Sequence, residues 1–323
     1  MALVDTFGRE LSYARISLTD RCNYRCLYCM PETGVQWLSH EEILRLEEVS
    51  LLCHVLFDIG VQKVRFTGGE PLVRKGVVPF LARLHEELPG LRMAFTTNGA
   101  LLTRFASELL EVGLSGINVS LDTLNPEKFR RVTRCGVLDD VLAGIRAVRE
   151  RNMPVKLNTV LMRGFNEEEV PALIDFARNQ GLTLRFIEFM PLDGGVWDEA
   201  SFLSSDDIFR MLPQAECWER QEQHDHSVGP AVYYKNRETG QRIGIIAAVS
   251  HHFCESCNRL RFSASGELRP CLFSTETIDL RDALRRGDVQ EVRRRILEGA
   301  SRKPESWHAC VRGEIRPMSR IGG

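Results

Sequence analysis

Several features that would point directly to a function have little or no presence in this sequence of 323 residues. Its 42 basic and 44 acidic residues leave a net charge of -2, so nothing favours general binding to nucleic acids or a membrane surface. The longest apolar runs, such as 243-IGIIAAV-249, are too short to span a bilayer. The first residues carry no basic region followed by an apolar stretch, so we expect no secretory signal and a cytoplasmic location.

Cysteine, in contrast, is plentiful, with ten residues in the chain. A secreted disulfide scaffold is usually short and dense in cysteine, whereas this chain has the length and the 43% apolar content of an ordinary globular protein. Clustered cysteines in a cytosolic chain of this size indicate metal ligation or catalysis.

Strand-like segments alternate with amphipathic helical segments along the first two thirds of the chain. We expect one of these helices to begin at Ser39, because Ser39 and Glu42 form a capping-box pattern. Six strand–helix units in succession predict an α/β fold, a partial (β/α)6 barrel of the TIM type. The strand-like segments are 15-RISLT-19, 63-KVRFTG-68, 92-RMAFTTN-98, 116-GINVSLD-122, 155-VKLNTVLM-162 and 182-LTLRFIEFM-190.

The pattern changes after about residue 204. A helix at 205–212 is followed by a polar loop at 214–230, by the hairpin-like strands AVYYK and RIGIIAAV, and by two charged helices. We therefore divide the chain into a partial barrel, residues 1–204, and a C-terminal region, residues 205–323, that closes the mouth of the barrel.

The first cysteine group lies in 20-DRCNYRCLYCM-30, where Cys22, Cys26 and Cys29 have the spacing C-x3-C-x2-C. A structural zinc site uses four ligands, and iron–sulfur clusters usually take four thiolates. Three thiolates on a four-iron cluster would leave one iron open to a ligand from outside the protein, as catalysis requires. The alternative is a zinc knuckle with a distant fourth ligand.

The second group, Cys254, Cys257 and Cys271, again has three members. Zinc is an alternative here too, with His251 or His252 as the fourth ligand. Between these cysteines lie Arg259 and Arg261, which would share one face of a strand and suit phosphate binding.

These motifs resemble those of radical S-adenosylmethionine enzymes. The resemblance rests on the first cysteine group, with the aromatic Tyr28 before its third cysteine, and on 67-TGGEPL-72 after a strand. In that family the open iron of a 4Fe-4S cluster chelates the methionine part of the cofactor, which is then cleaved to a 5′-deoxyadenosyl radical. The resemblance implies such a cluster on the first cysteine group, with cofactor contacts from Tyr28, Gly69, Glu70, Ser120 and Met190.

The second cysteine group, the stretch 258-NRLRF-262 and the terminal Gly-Gly resemble one subfamily, the GTP 3′,8-cyclases of molybdenum cofactor biosynthesis, over nearly the whole chain. This resemblance implies a second 4Fe-4S cluster on Cys254, Cys257 and Cys271 that binds the guanine ring. It implies catalytic roles for Arg15, Arg259, Arg261, Gly322 and Gly323, the last two in a tail that enters the active-site region. It implies GTP contacts from Arg15, Lys63, Arg65, Thr96, Lys156, Arg185, Arg259, Leu260 and Arg261.

The reaction that this resemblance implies is a radical cyclisation. The 5′-deoxyadenosyl radical takes the 3′-hydrogen of the ribose, the C3′ radical attacks C8 of guanine, and a further electron and proton give 3′,8-cyclo-7,8-dihydro-GTP. An electron donor, a downstream synthase that makes cyclic pyranopterin monophosphate, and a homodimer are further expectations. Two alternatives stay open: another two-cluster radical enzyme that modifies a peptide, and a metal-binding sensor without enzymatic activity.

Overall fold

The computed structural model describes residues 2–31, 33–192, 197–222, 229–310 and 318. Six parallel strands follow one another in chain order across the centre of a sheet, and each strand-like segment of the sequence forms one of them. The predicted alternation of strands and helices is therefore confirmed. The six strands are β1 (Tyr13–Ser17), β2 (Lys63–Thr67), β3 (Arg92–Thr97), β4 (Ile117–Ser120), β5 (Val155–Leu161) and β6 (Thr183–Glu188).

The six strands are connected by helices α1 to α6, two of which, α4 and α5, lie between β4 and β5. The expectation that α1 begins at Ser39 is wrong, because it begins at Leu46, where the Glu48 carboxylate accepts a hydrogen bond from the Arg45 amide at 2.6 Å. Glu42 does accept a hydrogen bond from the Ser39 amide at 2.8 Å, but the Leu44 amide donates to the distant Ala264 carbonyl instead of starting a helix. The helices are α1 (Leu46–Asp58), α2 (Val77–Glu87), α3 (Leu102–Glu111), α4 (Pro126–Thr133), α5 (Leu138–Arg149) and α6 (Val170–Asn179).

The C-terminal region extends the same sheet at both edges. The strand β9 pairs with β6 in parallel, and β10 pairs with β1 in parallel, while the remaining strands continue outward in antiparallel pairs. The predicted hairpin is confirmed, whereas β7 lies inside the stretch that was predicted to be a polar loop. The elements are α7 (Ser205–Arg210), β7 (Trp218–Arg220), β8 (Val232–Asn236), β9 (Arg242–Ile246), β10 (Arg259–Phe262), β11 (Glu267–Arg269), β12 (Ile278–Asp279), α8 (Arg281–Arg285) and α9 (Val289–Ser301).

Alternate residues of the parallel strands face opposite sides of the sheet. Ile16, Val64 and Phe66 are fully buried in the hydrophobic core that the helices cover. Their neighbours Arg15 and Arg65 face the other side, where they line a cavity. Among the described residues, no helix combines the length and the apolar content that a membrane span needs. The α/β fold with a partial barrel, its mouth covered by the C-terminal region, is confirmed.

Candidate active site

A cavity of about 360 Å³ brings the two cysteine groups into one site. Both groups reach it from loops that follow strands, and basic side chains of β1, β2, β5, β6 and β10 lie between them. The predicted site residues that line the cavity are Cys22, Cys26, Cys29, Cys254, Cys257, Cys271, Tyr28, Gly69, Ser120, Met190, Arg15, Lys63, Arg65, Thr96, Lys156, Arg185, Arg259 and Arg261.

Two of the predicted site residues that the structure describes, Leu260 and Glu70, do not line the cavity. The side chain of Leu260 is buried in the hydrophobic core, on the opposite face of β10 from its arginine neighbours. Glu70 is fully buried behind the cavity wall. Gly322 and Gly323 lie outside the described residues, so their predicted role stays a prediction.

The loop that carries the N-terminal triad, Cys22, Cys26 and Cys29, packs directly against the glycine motif. The Gly69 amide donates to the Thr19 carbonyl at 2.7 Å, and the Glu70 amide donates to the Arg21 carbonyl at 2.8 Å. A Cβ atom on Gly69 would lie 2.2 Å from the Arg21 carbonyl oxygen. Glycine is therefore required here by the close approach of the cysteine loop.

The Glu70 carboxylate ties the ends of β2 and β3 together. It accepts hydrogen bonds from the Leu72 amide at 3.0 Å, the Thr97 hydroxyl at 2.9 Å and the Asn98 amide at 2.7 Å. Burial raises its pKa to about 7, although these hydrogen bonds oppose the rise. The carboxylate therefore has a structural role beside the predicted contact to a cofactor.

Asp122 is a cavity residue that the sequence reasoning missed. Its carboxylate accepts a hydrogen bond from the Tyr28 hydroxyl at 2.6 Å and another from the Val160 amide at 2.9 Å. Burial raises the pKa of Asp122 to about 6. Its position directly after a strand, in the fragment SLD, was the available signal. Asp122 fixes the ring of Tyr28 against the N-terminal triad.

The two triads lie in different electrostatic surroundings. Burial raises the pKa of Cys22 to about 11. Burial also opposes ionisation of Cys257, but the neighbouring charges of Arg259 and Lys303 lower its pKa to about 6. The C-terminal triad, Cys254, Cys257 and Cys271, therefore lies in a basic environment.

The thiols of both triads fit iron–sulfur clusters. The Tyr24 amide donates to the Cys22 sulfur at 3.3 Å, and Arg259 Nη2 donates to the Cys257 sulfur at 3.5 Å. Hydrogen bonds to the sulfurs are typical of cluster ligands. Within the described ranges, no three His, Cys, Asp or Glu side chains could hold a single metal ion, whereas the thiolates of a cluster bind different irons.

Three arginines lie side by side between the triads. In the sheet register Arg15 is opposite both Arg65 and Arg261. Burial, together with the charges of Arg65 and Arg259, lowers the pKa of Arg15 to about 10, against the favourable effect of Tyr13. Buried like charges are costly unless an anion compensates them, so this row is suited to a polyanion.

Tyr13 is a second residue that the sequence reasoning missed. Its buried hydroxyl accepts a hydrogen bond from Arg65 Nε at 2.7 Å, and the Lys63 ammonium lies 5.2 Å from its ring centre. Burial alone would raise the pKa of Tyr13, but the charges of Arg65, Arg15 and Lys63 lower it to about 7. The phenol thus responds to the charge of the cavity.

Arg185 has hydrogen-bond donors in the cavity that the described residues do not use. It is buried, and its Nε and Nη2 atoms have no hydrogen-bond partner among the described residues. An unpaired buried donor costs about 1–3 kcal/mol. A ligand with several anionic oxygens would satisfy both atoms.

Two family models match the chain. The Radical SAM superfamily model covers residues 16–177, and the Molybdenum Cofactor Synthesis C model covers residues 182–309. The first matched segment contains the N-terminal triad and the glycine motif, and the second contains the C-terminal triad.

Similar proteins of known name cover the chain almost completely. A GTP 3′,8-cyclase of Heliobacterium modesticaldum is 45% identical, with 99% of this chain and 100% of that protein covered. A GTP 3′,8-cyclase of Thermodesulfovibrio yellowstonii is 42% identical and GTP 3′,8-cyclase 1 of Pseudomonas aeruginosa is 44% identical, each with 99% of both chains covered.

Solved structures share the fold at low identity. SuiB of Streptococcus suis bound to S-adenosylmethionine has a TM-score of 0.64 at 15% identity, over 84% of this chain. This chain spans 63% of that SuiB chain. Native anSMEcpe with bound AdoMet has a TM-score of 0.58 at 15% identity, over 85% of this chain and 79% of that chain.

The chain belongs to the radical S-adenosylmethionine superfamily of enzymes. Membership confirms the predicted cofactors, 4Fe-4S clusters and S-adenosylmethionine, and it excludes the sensor alternative. Within that superfamily, the chain belongs to the family of GTP 3′,8-cyclases.

Proposed function

We propose that this chain cyclises GTP to (8S)-3′,8-cyclo-7,8-dihydroguanosine 5′-triphosphate, the first step of molybdenum cofactor biosynthesis. The observation that carries the proposal is that one cavity is lined by both cysteine triads and, between them, by the basic strip of Arg15, Arg65, Arg185 and Arg261. Relatives named GTP 3′,8-cyclase, similar over 99% of the chain, support it. The second matched family model, Molybdenum Cofactor Synthesis C, supports the same pathway.

The N-terminal end of the cavity is suited to S-adenosylmethionine. Cys22, Cys26 and Cys29 would hold a cluster that, when reduced, would supply the electron for the reductive cleavage of this cofactor. We assign the cofactor contacts to Tyr28, Gly69, Glu70, Ser120 and Met190. Four of the five line the cavity, and Glu70 supports them from behind through the ends of β2 and β3.

The strip between the triads is suited to a nucleoside triphosphate. Arg15, Arg65 and Arg261 present adjacent charges, and Arg185 contributes two nitrogen atoms that have no hydrogen-bond partner in the part of the chain that the structure describes. A guanine ring at the C-terminal triad would leave the triphosphate along this row, with the ribose toward the N-terminal triad. The residues would act chiefly by placing C3′ of GTP near the radical carbon. We include Lys63, Thr96, Lys156, Arg259 and the Leu260 backbone in this site.

The remaining proposals rest on the family resemblance. We propose catalytic roles for Arg15, Arg259, Arg261 and the Gly322-Gly323 tail. Residues added after Gly323 should reduce turnover while iron content stays unchanged, and full turnover by the extended chain would refute the role of the tail. The division at residue 204 likewise stays a proposal.

The partners and the location are also proposals. An electron donor must reduce the N-terminal cluster, and a downstream synthase would consume the product. Thiol ligation of clusters needs reduced cysteines, and all ten cysteines are free thiols, which favours the cytoplasm. A homodimer is an expectation for this family.

The test uses anaerobically reconstituted, reduced protein with S-adenosylmethionine and one nucleoside triphosphate at a time. We expect GTP, and no other nucleoside triphosphate, to give a nucleotide product together with 5′-deoxyadenosine. This product should be isomeric with GTP and convertible to a fluorescent pterin. Replacing Arg185 by Met should weaken GTP binding and leave iron content unchanged. Formation of 5′-deoxyadenosine without any nucleotide product would favour the alternative of a peptide-modifying enzyme. Absence of cleavage in cluster-loaded protein would overturn the proposal.

A further inference from the structure

Two buried cations outside the predicted site contact every segment that carries a cysteine of the C-terminal triad. The first is Lys303, which follows α9 and is 3% exposed. Its ammonium donates to the Arg259 carbonyl and to the Pro270 carbonyl, each at 2.9 Å. Arg259 lies two residues after Cys257, and Pro270 immediately precedes Cys271. One side chain thus links two of the three cysteine-bearing segments.

The second cation is Arg9, which comes from the opposite end of the chain. Its Nη1 donates to the Cys254 carbonyl at 2.8 Å and to the Glu305 carbonyl at 2.9 Å, and its Nη2 donates to the Pro304 carbonyl at 2.7 Å. Arg9 therefore links the third cysteine segment to the turn that begins with Lys303.

Asp5 fixes the position of Arg9. Its carboxylate accepts the Arg9 Nε–H at 2.5 Å and the Arg9 backbone amide at 2.9 Å. Both side chains are buried, so the ion pair is shielded from solvent. We call Asp5, Arg9 and Lys303 the cation bracket.

The buried charge of Lys303 has a desolvation cost that a purely structural link would not need. Burial of an ammonium is unfavourable unless a negative charge compensates it, and the described hydrogen-bond partners of Lys303 are neutral carbonyl groups. The acidic groups that interact favourably with its charge are the thiols of Cys257 and Cys271. A neutral donor could link the same carbonyls at a lower desolvation cost, so the position of this charge beside the thiols indicates an electrostatic role.

We propose that Arg9 and Lys303 are positioning residues that hold the three cysteine segments at the spacing of the C-terminal cluster, and that the charge of Lys303 raises the reduction potential of that cluster. A nearby positive charge stabilises the reduced cluster, which is the more negative state. The inference rests on the proposed presence of a cluster at this triad.

The experiment uses the full chain, reconstituted anaerobically, in a background in which Cys22, Cys26 and Cys29 are all replaced by Ala, so that the C-terminal cluster is observed by itself. Iron and sulfide per chain are measured, and the midpoint potential is determined by a redox titration followed by electron paramagnetic resonance. Lys303→Gln retains hydrogen-bond donors but removes the charge, whereas Lys303→Arg retains donors and charge. Arg9→Gln removes the link to Cys254. Arg294→Gln, at an exposed ion pair on α9, is the matched control.

We expect Lys303→Gln to retain iron but to shift the midpoint potential downward, and Lys303→Arg and the control to keep the parent value. Arg9→Gln should lose most of the iron from this background, and in the otherwise unsubstituted chain it should lose about half of the iron, because the N-terminal triad is untouched. An unchanged potential in Lys303→Gln would overturn the electrostatic role. Full iron in Arg9→Gln would overturn the positioning role. A background protein that binds no iron, while the chain with all six cysteines binds one cluster, would instead contradict the proposed function.

Discussion

Tyr13 stands among cations that belong to several strands. Arg15 lies on the same strand as Tyr13, and Lys63 and Arg65 lie on β2. Arg259 on β10 and Arg185 on β6 also interact electrostatically with the Tyr13 phenolate. The phenol pKa of about 7 means that the side chain is largely a phenolate at pH 8 before GTP binds. A bound triphosphate would offset the cations, so the pKa would rise toward 10 and the phenolate would take up a proton.

We therefore expect GTP to bind with uptake of close to one proton at pH 8, where the free triphosphate is itself fully ionised. Because binding favours the protonated phenol, affinity should fall between pH 7 and 10, by at most about tenfold per pH unit. Calorimetry of cluster-loaded protein in HEPES and in Tris gives the proton count from the difference in observed heat. Tyr13→Phe is the control, and equal proton uptake in that variant would remove Tyr13 from the explanation.

Glu70 is the other residue whose titration has a structural consequence. Above pH 7 its carboxylate accepts three hydrogen bonds, and an amide at the same position would direct N–H groups toward the Leu72 amide or the Asn98 amide. Glu70→Gln should therefore destabilise the metal-free chain by about 1–3 kcal/mol at pH 8. Because the pKa of Glu70 is higher in the folded chain than in the unfolded chain, the wild type should gain stability between pH 8 and pH 6, whereas the amide of the variant does not titrate, so the difference should widen at pH 6. Urea unfolding under anaerobic conditions at both pH values is the measurement, and equal stability at pH 8 would contradict the role assigned to this carboxylate.

At the scale of the elements, the absence of a side chain at Gly69 allows the loop after β2 to pack against the loop after β1. A Cβ atom at this position would lie 2.2 Å from the Arg21 carbonyl oxygen and 2.7 Å from the Asp20 carbonyl oxygen. Backbone atoms on both sides cannot yield as a flexible side chain can, so Gly69→Ala should separate the two loops and lose iron from the N-terminal triad.

Gly164→Ala is the matched control for this prediction. Gly164 has a φ of +71°, but no atom lies within 4 Å of the position that an alanine methyl group would occupy. Its substitution therefore adds backbone strain of about 1–2 kcal/mol without a clash. Iron content and S-adenosylmethionine binding are measured for both variants. Normal iron in Gly69→Ala, or equal loss in Gly164→Ala, would contradict the argument.

Local patterns were sufficient for the central strands and insufficient for contacts between distant segments. Each of the six strands was predictable because β-branched runs end in turn residues. The start of α1 was not, because the Leu44 amide pairs with Ala264 across the molecule, and no local pattern encodes that pairing. The same limit applies to the site: the cysteine spacings and resemblance identified the ligands, whereas Tyr13, Arg9 and Lys303 carry no motif and depend on which strands and turns become neighbours.

At the scale of the whole molecule, the cavity depends on one continuous sheet. The strand β1 pairs with β2 on one side and with β10 on the other, and β6 pairs with β5 and β9. The helix α1 also packs against α8 and α9. The two regions of the chain therefore share backbone pairing and core, and both contribute walls to the cavity.

Residues 1–204 without the rest of the chain should therefore not form a stable partial barrel. Without the C-terminal region, the backbone groups of β1 and β6 that now pair with β10 and β9 would lose their partners. Each such group that stayed buried and unpaired would destabilise the fragment by about 1–3 kcal/mol. The apolar face of α1 would also be exposed to solvent. Urea unfolding followed by circular dichroism should show one transition for the metal-free full chain and no cooperative transition for the fragment. Because the edge strands are the cause, co-expression with residues 205–323 should restore the transition. A fragment that unfolds cooperatively without its partner would show instead that the partial barrel folds independently and that the C-terminal region is added to a finished sheet.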